Sequence, residues 1–167
     1  EGGPITEILE AAVADDAVMF PSALPPRREQ QHAAWVTIQV GCDNSCAFCI
    51  VPAVRGPEIS RPFAALVEEL EALAADGVTE VTLLGQNVNS YGRDLALAAR
   101  RAGDDVAVRP LFAELLRAAG GVEGIRRVRF TSPHPKDLRR ETIAAMAEVP
   151  EVCAHLHLPL QSGSDRV

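Results

Sequence analysis

From residue 34 onward the chain alternates between short β-forming runs and amphipathic helical segments, which narrows the fold more than anything else in it. Residues 34–40 (AWVTIQV), 78–84 (VTEVTLL), 125–131 (IRRVRFT) and 154–160 (AHLHLPL) read as strands. Pro159 weakens the end of the last one. Helices are expected over about 61–76, about 110–119 and 137–148. The first has Ser60 as its cap, Pro62 in its first turn and Gly77 past its end. Leu66, Leu70 and Leu73 form its apolar stripe. Leu111, Leu115 and Leu116 play that part in the second helix, and Leu138, Ile143 and Met146 in the third. A long polar stretch to about residue 109 separates the second strand from the second helix. A βα repeat of this kind predicts an α/β protein with a parallel sheet and right-handed crossovers.

The strands are not uniformly apolar, as doubly covered parallel strands normally are. Val36, Ile38 and Val40 alternate with Thr37 and Gln39, and Val81 and Leu83 with Glu80 and Thr82. Val128 and Phe130 alternate with Arg127, Arg129 and Thr131, and Leu156 and Leu158 with His155 and His157. Helices are expected to cover the apolar face. The polar face then lines a lumen, or is simply the solvated side of an open sheet. Each strand is followed by a Gly-rich or polar segment: 41–49, 85–92, 132–135 and 161–164. Sites in such folds sit at the carboxyl ends of strands. Four strands do not close a barrel, so the expectation is a partial parallel (β/α) barrel, truncated after about four βα units.

Residues 4–14 suit a short helix, and the proline-rich 21–32 a linker. The expected division is 1–32, linker and end of a missing N-terminal domain, and 33–167, an incomplete core domain. A net charge of −7 argues against holding nucleic acid by bulk electrostatics. Arg126, Arg127, Arg129, Lys136, Arg139 and Arg140 nevertheless cluster. No apolar run is long enough to span a membrane, and no signal-peptide pattern opens the chain.

Three of the four cysteines fall within eight residues, Cys42-x3-Cys46-x2-Cys49, with Cys153 remote. A disulfide framework would spread them, so a metal in a reducing, cytoplasmic setting is favoured. Thiolates are the usual ligands of iron–sulfur clusters. In a cubane, three thiolates leave one iron open. Ala47, Phe48, Ile50 and Val51 would form an apolar wall beside it. Zinc is the competing metal; it prefers four ligands, which His32, His134 or His155 would have to complete. Cys153 reads as a small buried hydrophobe.

The x3, x2 spacing after a first strand, with Phe48 just before the third cysteine, resembles the radical S-adenosylmethionine (SAM) superfamily. CAFCIVPAVRGPEISRP (46–62), LLGQNVNSYG (83–92), RFTSPHP (129–135) and HLPLQSGSDRV (157–167) resemble one branch, the tRNA methylthiotransferases of the MiaB type. Related branches act on a ribosomal protein aspartate or on threonylcarbamoyl adenosine. A non-catalytic iron–sulfur module is the other alternative.

The resemblance implies a 4Fe–4S cluster on Cys42, Cys46 and Cys49 whose open iron binds SAM. It implies reductive cleavage to a 5′-deoxyadenosyl radical, then methylthiolation of isopentenyladenosine beside the tRNA anticodon. It also implies a low-potential electron donor and a second 4Fe–4S cluster, whose cysteines Glu1–Gln31 lack. Phe48 is a candidate to pack on the SAM adenine, or a core residue. Gly85, Gln86 and Asn87 are candidates for the SAM amino group. Gln161, Ser162 and Gly163 are candidates for its ribose or methionine end, and Ser132 and His134 for the pocket lining. Arg127 and Arg129 face a carboxylate or phosphate, or pair with Glu80. Pro57 departs from the basic or polar residue expected there.

Overall fold

The computed structural model describes residues 31–159 and 163–166. The expected helix over 4–14, the linker up to residue 30, Gln161 and Ser162 lie outside the described residues. Three strands form one parallel sheet in the order β1, β4, β5: Ala33–Thr37 (β1), Glu80–Leu84 (β4) and Arg127–Phe130 (β5). Val36 pairs with Leu83, and Val81 with Val128, so the apolar positions of neighbouring strands share a face. Val36, Val81, Leu83 and Val128 are fully buried there. Thr37, Glu80, Thr82, Arg127 and Arg129 lie on the opposite face, as the period of two requires. Trp35 stands among them, largely exposed.

Helices cover the apolar face. Phe63–Ala75 (α2) presents Leu66, Leu70 and Leu73, and Phe112–Gly120 (α4) presents Phe112, Leu115, Leu116 and Ala119. Phe112 meets Phe130 edge-on, with ring centroids 5.2 Å apart. Each fully buried Leu or Phe contributes roughly 1.5–3 kcal/mol by leaving water. A short helix, Val51–Arg55 (α1), and two later ones, Arg93–Arg101 (α3) and Arg140–Glu148 (α5), complete the described α-helices.

Several expectations need correction. The first strand breaks at Ile38, and its end, Gln39–Val40 (β2), turns away to pair antiparallel with Ile59–Ser60 (β3). Gln39 is therefore fully buried instead of lining the polar face. The fourth strand shrinks to a single parallel bridge, Val128 to Val152, with Cys153 N–H donating to the Val128 carbonyl at 3.0 Å. Residues 154–159 carry no strand, His155 and His157 are exposed, and Leu158 is exposed instead of covered by helices. Ile143 is 53% exposed, because α5 turns Thr142 and Ala145 inward instead. The polar stretch before residue 109 contains α3, whose signals were present: Asp94 in the first turn, Arg100 and Arg101 in the last.

The first long helix begins at Phe63 with Pro62 as its cap, not Ser60. The Ser60 hydroxyl instead accepts the Gly92 N–H at 2.9 Å, and the Ser60 N–H donates to Asp94 at 2.8 Å. These bonds hold α3 against β3.

Candidate functional site

The β2–β3 pair clasps the two ends of the cysteine loop, residues 41–58. Gly41 sits at φ +72°, and a methyl group there would stand 1.9 Å from the Pro57 carbonyl oxygen. Only glycine allows the two sides of the loop to approach this closely. The Cys42 N–H donates to Gly56 at 3.2 Å, and the Glu58 N–H to the Asp43 carboxylate at 3.0 Å. Cys42 is consequently buried on the loop floor, while Cys46 and Cys49 are exposed, linked by a tight turn with Cys49 N–H donating to Cys46 O. Burial pushes the Cys42 thiol up, and the Asn44 backbone N–H opposes this. A metal at Cys42 must therefore displace its proton.

Among the described residues, no three His, Cys, Asp or Glu side chains gather at the spacing of a single metal ion. A cubane gives each thiolate its own iron, so its ligands stand apart by construction. Three thiols on one clasped loop fit that group. Phe48 is fully exposed and Ile50 largely so, which removes core packing as the account of Phe48. Ala47, Phe48 and Ile50 are exposed at the loop tip and Val51 is half-buried, so in this structure they face solvent instead of forming a wall.

The loop after β4 is packed against the base of the cysteine loop. A methyl group at Gly85 would come within 2.8 Å of Gln39 Cγ, so glycine lets Gln39 cross beneath. Gln39 Nε2 donates to the Asn87 carbonyl at 2.8 Å. The Ser90 hydroxyl donates to Glu58 Oε2 at 2.6 Å. Burial pushes the Glu58 carboxyl up, and the Ser90 hydroxyl opposes it. Asn87 Nδ2 donates to Asp137 at 2.7 Å, which fixes the amide and leaves its Oδ1 open. Gln39 Oε1, Glu58 Oε1, Gln86 Oε1 and Asn44 Nδ2 are also buried without a protein partner. Orphaned buried acceptors are uncommon and call for a ligand or water. Oxygens on Gln86 and Asn87 suit an ammonium group.

The loop after β5 completes the edge. Ser132 has φ +57°, a strained value for a residue before proline. Asn89 grips His134 twice: its Oδ1 accepts the His134 N–H at 2.8 Å, and its Nδ2 donates to the His134 carbonyl at 2.9 Å. The His134 ring reaches Cys46, with Nε2 3.4 Å from Sγ.

Cys46, His134, Asn87 and Gly85 thus share one edge of the sheet. Ser132 is exposed beside them, and Gly163 is exposed with open space around its α-carbon. Arg127 pairs with Glu80, as does Arg129 at 2.9 Å, which settles their partner. Cys153 is half-buried beside β5. Glu58, Asn89 and Asp137 were missed in the sequence. Their only signal is polarity inside segments that otherwise read as turns.

Residues 36–167 match the radical SAM superfamily. The chain is 54% identical to a Mycobacterium leprae protein named tRNA-2-methylthio-N(6)-dimethylallyladenosine synthase, over 96% of this chain and 30% of that one. A Streptomyces viridosporus protein of the same name is 53% identical over 100% of this chain and 31% of its own length. The chain thus spans about 30% of the length of these curated relatives. A solved radical SAM methyltransferase, TsrM from Kitasatospora setae with tryptophan and a SAM analogue bound, aligns loosely. Its TM-score is 0.40 at 22% identity, over 72% of this chain and 29% of that one. The superfamily works with a 4Fe–4S cluster and SAM, and the family match covers the cysteine loop and both polar loops beside it. The chain belongs to the radical SAM superfamily.

Proposed function

We propose that this chain is the cluster-binding and SAM-binding part of a tRNA methylthiotransferase. The identity above 50% to relatives named for 2-methylthio-N(6)-dimethylallyladenosine synthesis carries the substrate class. In this proposal Cys42, Cys46 and Cys49 ligate a 4Fe–4S cluster and leave one iron for SAM. That pair of cofactors supplies reductive cleavage of SAM to a carbon radical.

The chain's own residues bind and orient. Gln86 Oε1 and Asn87 Oδ1 accept from the SAM ammonium, with Asn87 held by Asp137. Gly85 keeps the loop low enough for the ligand to approach. Phe48, exposed at the loop tip, covers the adenine and excludes water. Ser132 lines the pocket, and Gln161, Ser162 and Gly163 take the ribose or methionine end of SAM. Phosphate contacts to tRNA come from elsewhere in the protein, since this chain carries −7. A low-potential donor supplies the electron, in the cytoplasm. Among the described residues no helix is long and apolar enough to cross a membrane.

Anaerobic reconstitution with iron and sulfide tests the proposal. It should yield about four irons per chain and a cluster absorption band. Replacing Cys42, Cys46 or Cys49 by Ala should abolish the band, while Cys153→Ala should leave it. With dithionite and SAM the loaded chain should release 5′-deoxyadenosine. One tightly bound zinc per chain, unaffected by iron, would overturn it. By itself the chain is expected not to methylthiolate isopentenylated tRNA, because Glu1–Gln31 holds no cysteine for a second cluster. Mass spectrometry of tRNA nucleosides checks this.

A further inference from the structure

We propose that His134 is a positioning residue that donates a hydrogen bond to the Cys46 thiolate and thereby raises the cluster's reduction potential. The proposal rests on the cluster assignment above and goes beyond it, since His134 was expected to line the SAM pocket or to complete a zinc site.

The ring's tautomer follows from its partners. His134 Nδ1 accepts the Lys136 backbone N–H at 3.1 Å. A nitrogen that accepts carries no proton, so the neutral ring bears its proton on Nε2. That nitrogen lies 3.4 Å from Cys46 Sγ, within reach of an N–H···S bond. The backbone is fixed on both sides. Asn89, only 1% exposed, makes the paired bonds to the His134 N–H and carbonyl, and Pro133 and Pro135 flank the residue. Ser132 at φ +57° shows a backbone held in a sparsely populated conformation, as happens where the surroundings over-determine a functional geometry. The bond also joins the loop after β5 to the cysteine loop, 88 residues away in sequence.

An N–H donor to a ligand sulfur stabilises the more electron-rich state. On one-electron reduction the added charge spreads onto the thiolates, the bond strengthens, and the potential rises. Cys46 would be the ligand so tuned, while Cys42 is buried on the loop floor without this bond.

The test uses the full chain, reconstituted anaerobically, with iron content, redox titration against dithionite and EPR of the reduced cluster. His134→Leu removes the donor; His134→Gln keeps an N–H on a side chain of similar reach. The expected result is full iron content in both variants, a His134→Leu potential lowered by about tenfold in reducibility, or about 59 mV for one electron, and a changed EPR spectrum. His134→Gln should recover most of the shift. Equal potentials in the wild type and His134→Leu would overturn the proposal. So would loss of iron from both variants, which would make the ring a ligand or a scaffold. A wild-type chain that takes up no cluster would instead defeat the cluster assignment itself, so the two failures are distinguishable.

Discussion

At the scale of single residues, the site depends on positions where a side chain is forbidden as much as on those where one is needed. Gly41 illustrates this. Its φ of +72° and the Pro57 carbonyl, 1.9 Å from where a β-carbon would sit, both demand glycine. Gly56 has a similar φ of +71°, but nothing lies within 4 Å of its missing β-carbon. Gly41→Ala is therefore expected to push the loop open and lose most of the iron taken up on reconstitution. Gly56→Ala, at φ +71° and ψ −164°, should cost about 1–3 kcal/mol of backbone strain and keep the cluster. Iron content per folded chain, with circular dichroism as the check on folding, distinguishes the two. Equal iron loading in both variants would show that the close approach at Pro57 is not what shapes the loop.

At the scale of elements, the sheet is held by unlike forces on its two faces. Apolar burial against α2 and α4 acts on one. On the other, Glu80 of β4 meets Arg127 and Arg129 of β5, across the registered strand pair. The Arg127 guanidinium holds the Glu80 carboxyl below its ordinary 4.5, against the opposing effect of partial burial, with Arg129 adding to it. A carboxyl whose folded value is depressed contributes stability above its unfolded value. That contribution is lost as pH falls through the folded one. Both arginines are solvent-exposed, so screening keeps the effect small. Glu80→Gln should lower the urea midpoint slightly at pH 7, and the difference should vanish well below pH 4.5. A difference that persists in acid would mean that Glu80 acts through packing, not charge.

At the scale of the whole molecule, one apolar layer organises everything above it. The clasped loop, the loop after β4 and the loop after β5 all spring from the same end of strands that share this core. Leu83 is fully buried in it. Leu83→Ala should destabilise the chain by roughly 2–5 kcal/mol. Ile143, also expected to face inward, is 53% exposed, and Ile143→Ala should stay within about 0.5 kcal/mol. Urea denaturation of the two variants measures the contrast. Comparable losses would place Ile143 in the core after all.

Local chemistry in the chain was enough to predict the parallel βα order, the two-faced strands and the cysteine triad. Strand faces follow from a period of two, and the triad lies within eight residues, so both are legible at short range. The Glu80 pairing with Arg127 and Arg129 was legible as one of two options, since both arginines share its face. Contacts between segments far apart were not legible. Gln39 continues an alternating strand in the sequence, yet its burial depends on Ser60 pairing with it and on Gly85 making room. The Asn89 grip on His134, and the His134 approach to Cys46, join residues 45 and 88 positions apart. The last strand failed because alternation in AHLHLPL states a preference only. A strand forms where a neighbour supplies hydrogen bonds, and among the described residues β5 supplies them at Glu151 and Cys153, either side of the Val152 bridge, not farther along. Short-range pattern determined which residues form the elements; only the tertiary structure, through packing and hydrogen bonds across long sequence separations, decided which of them meet.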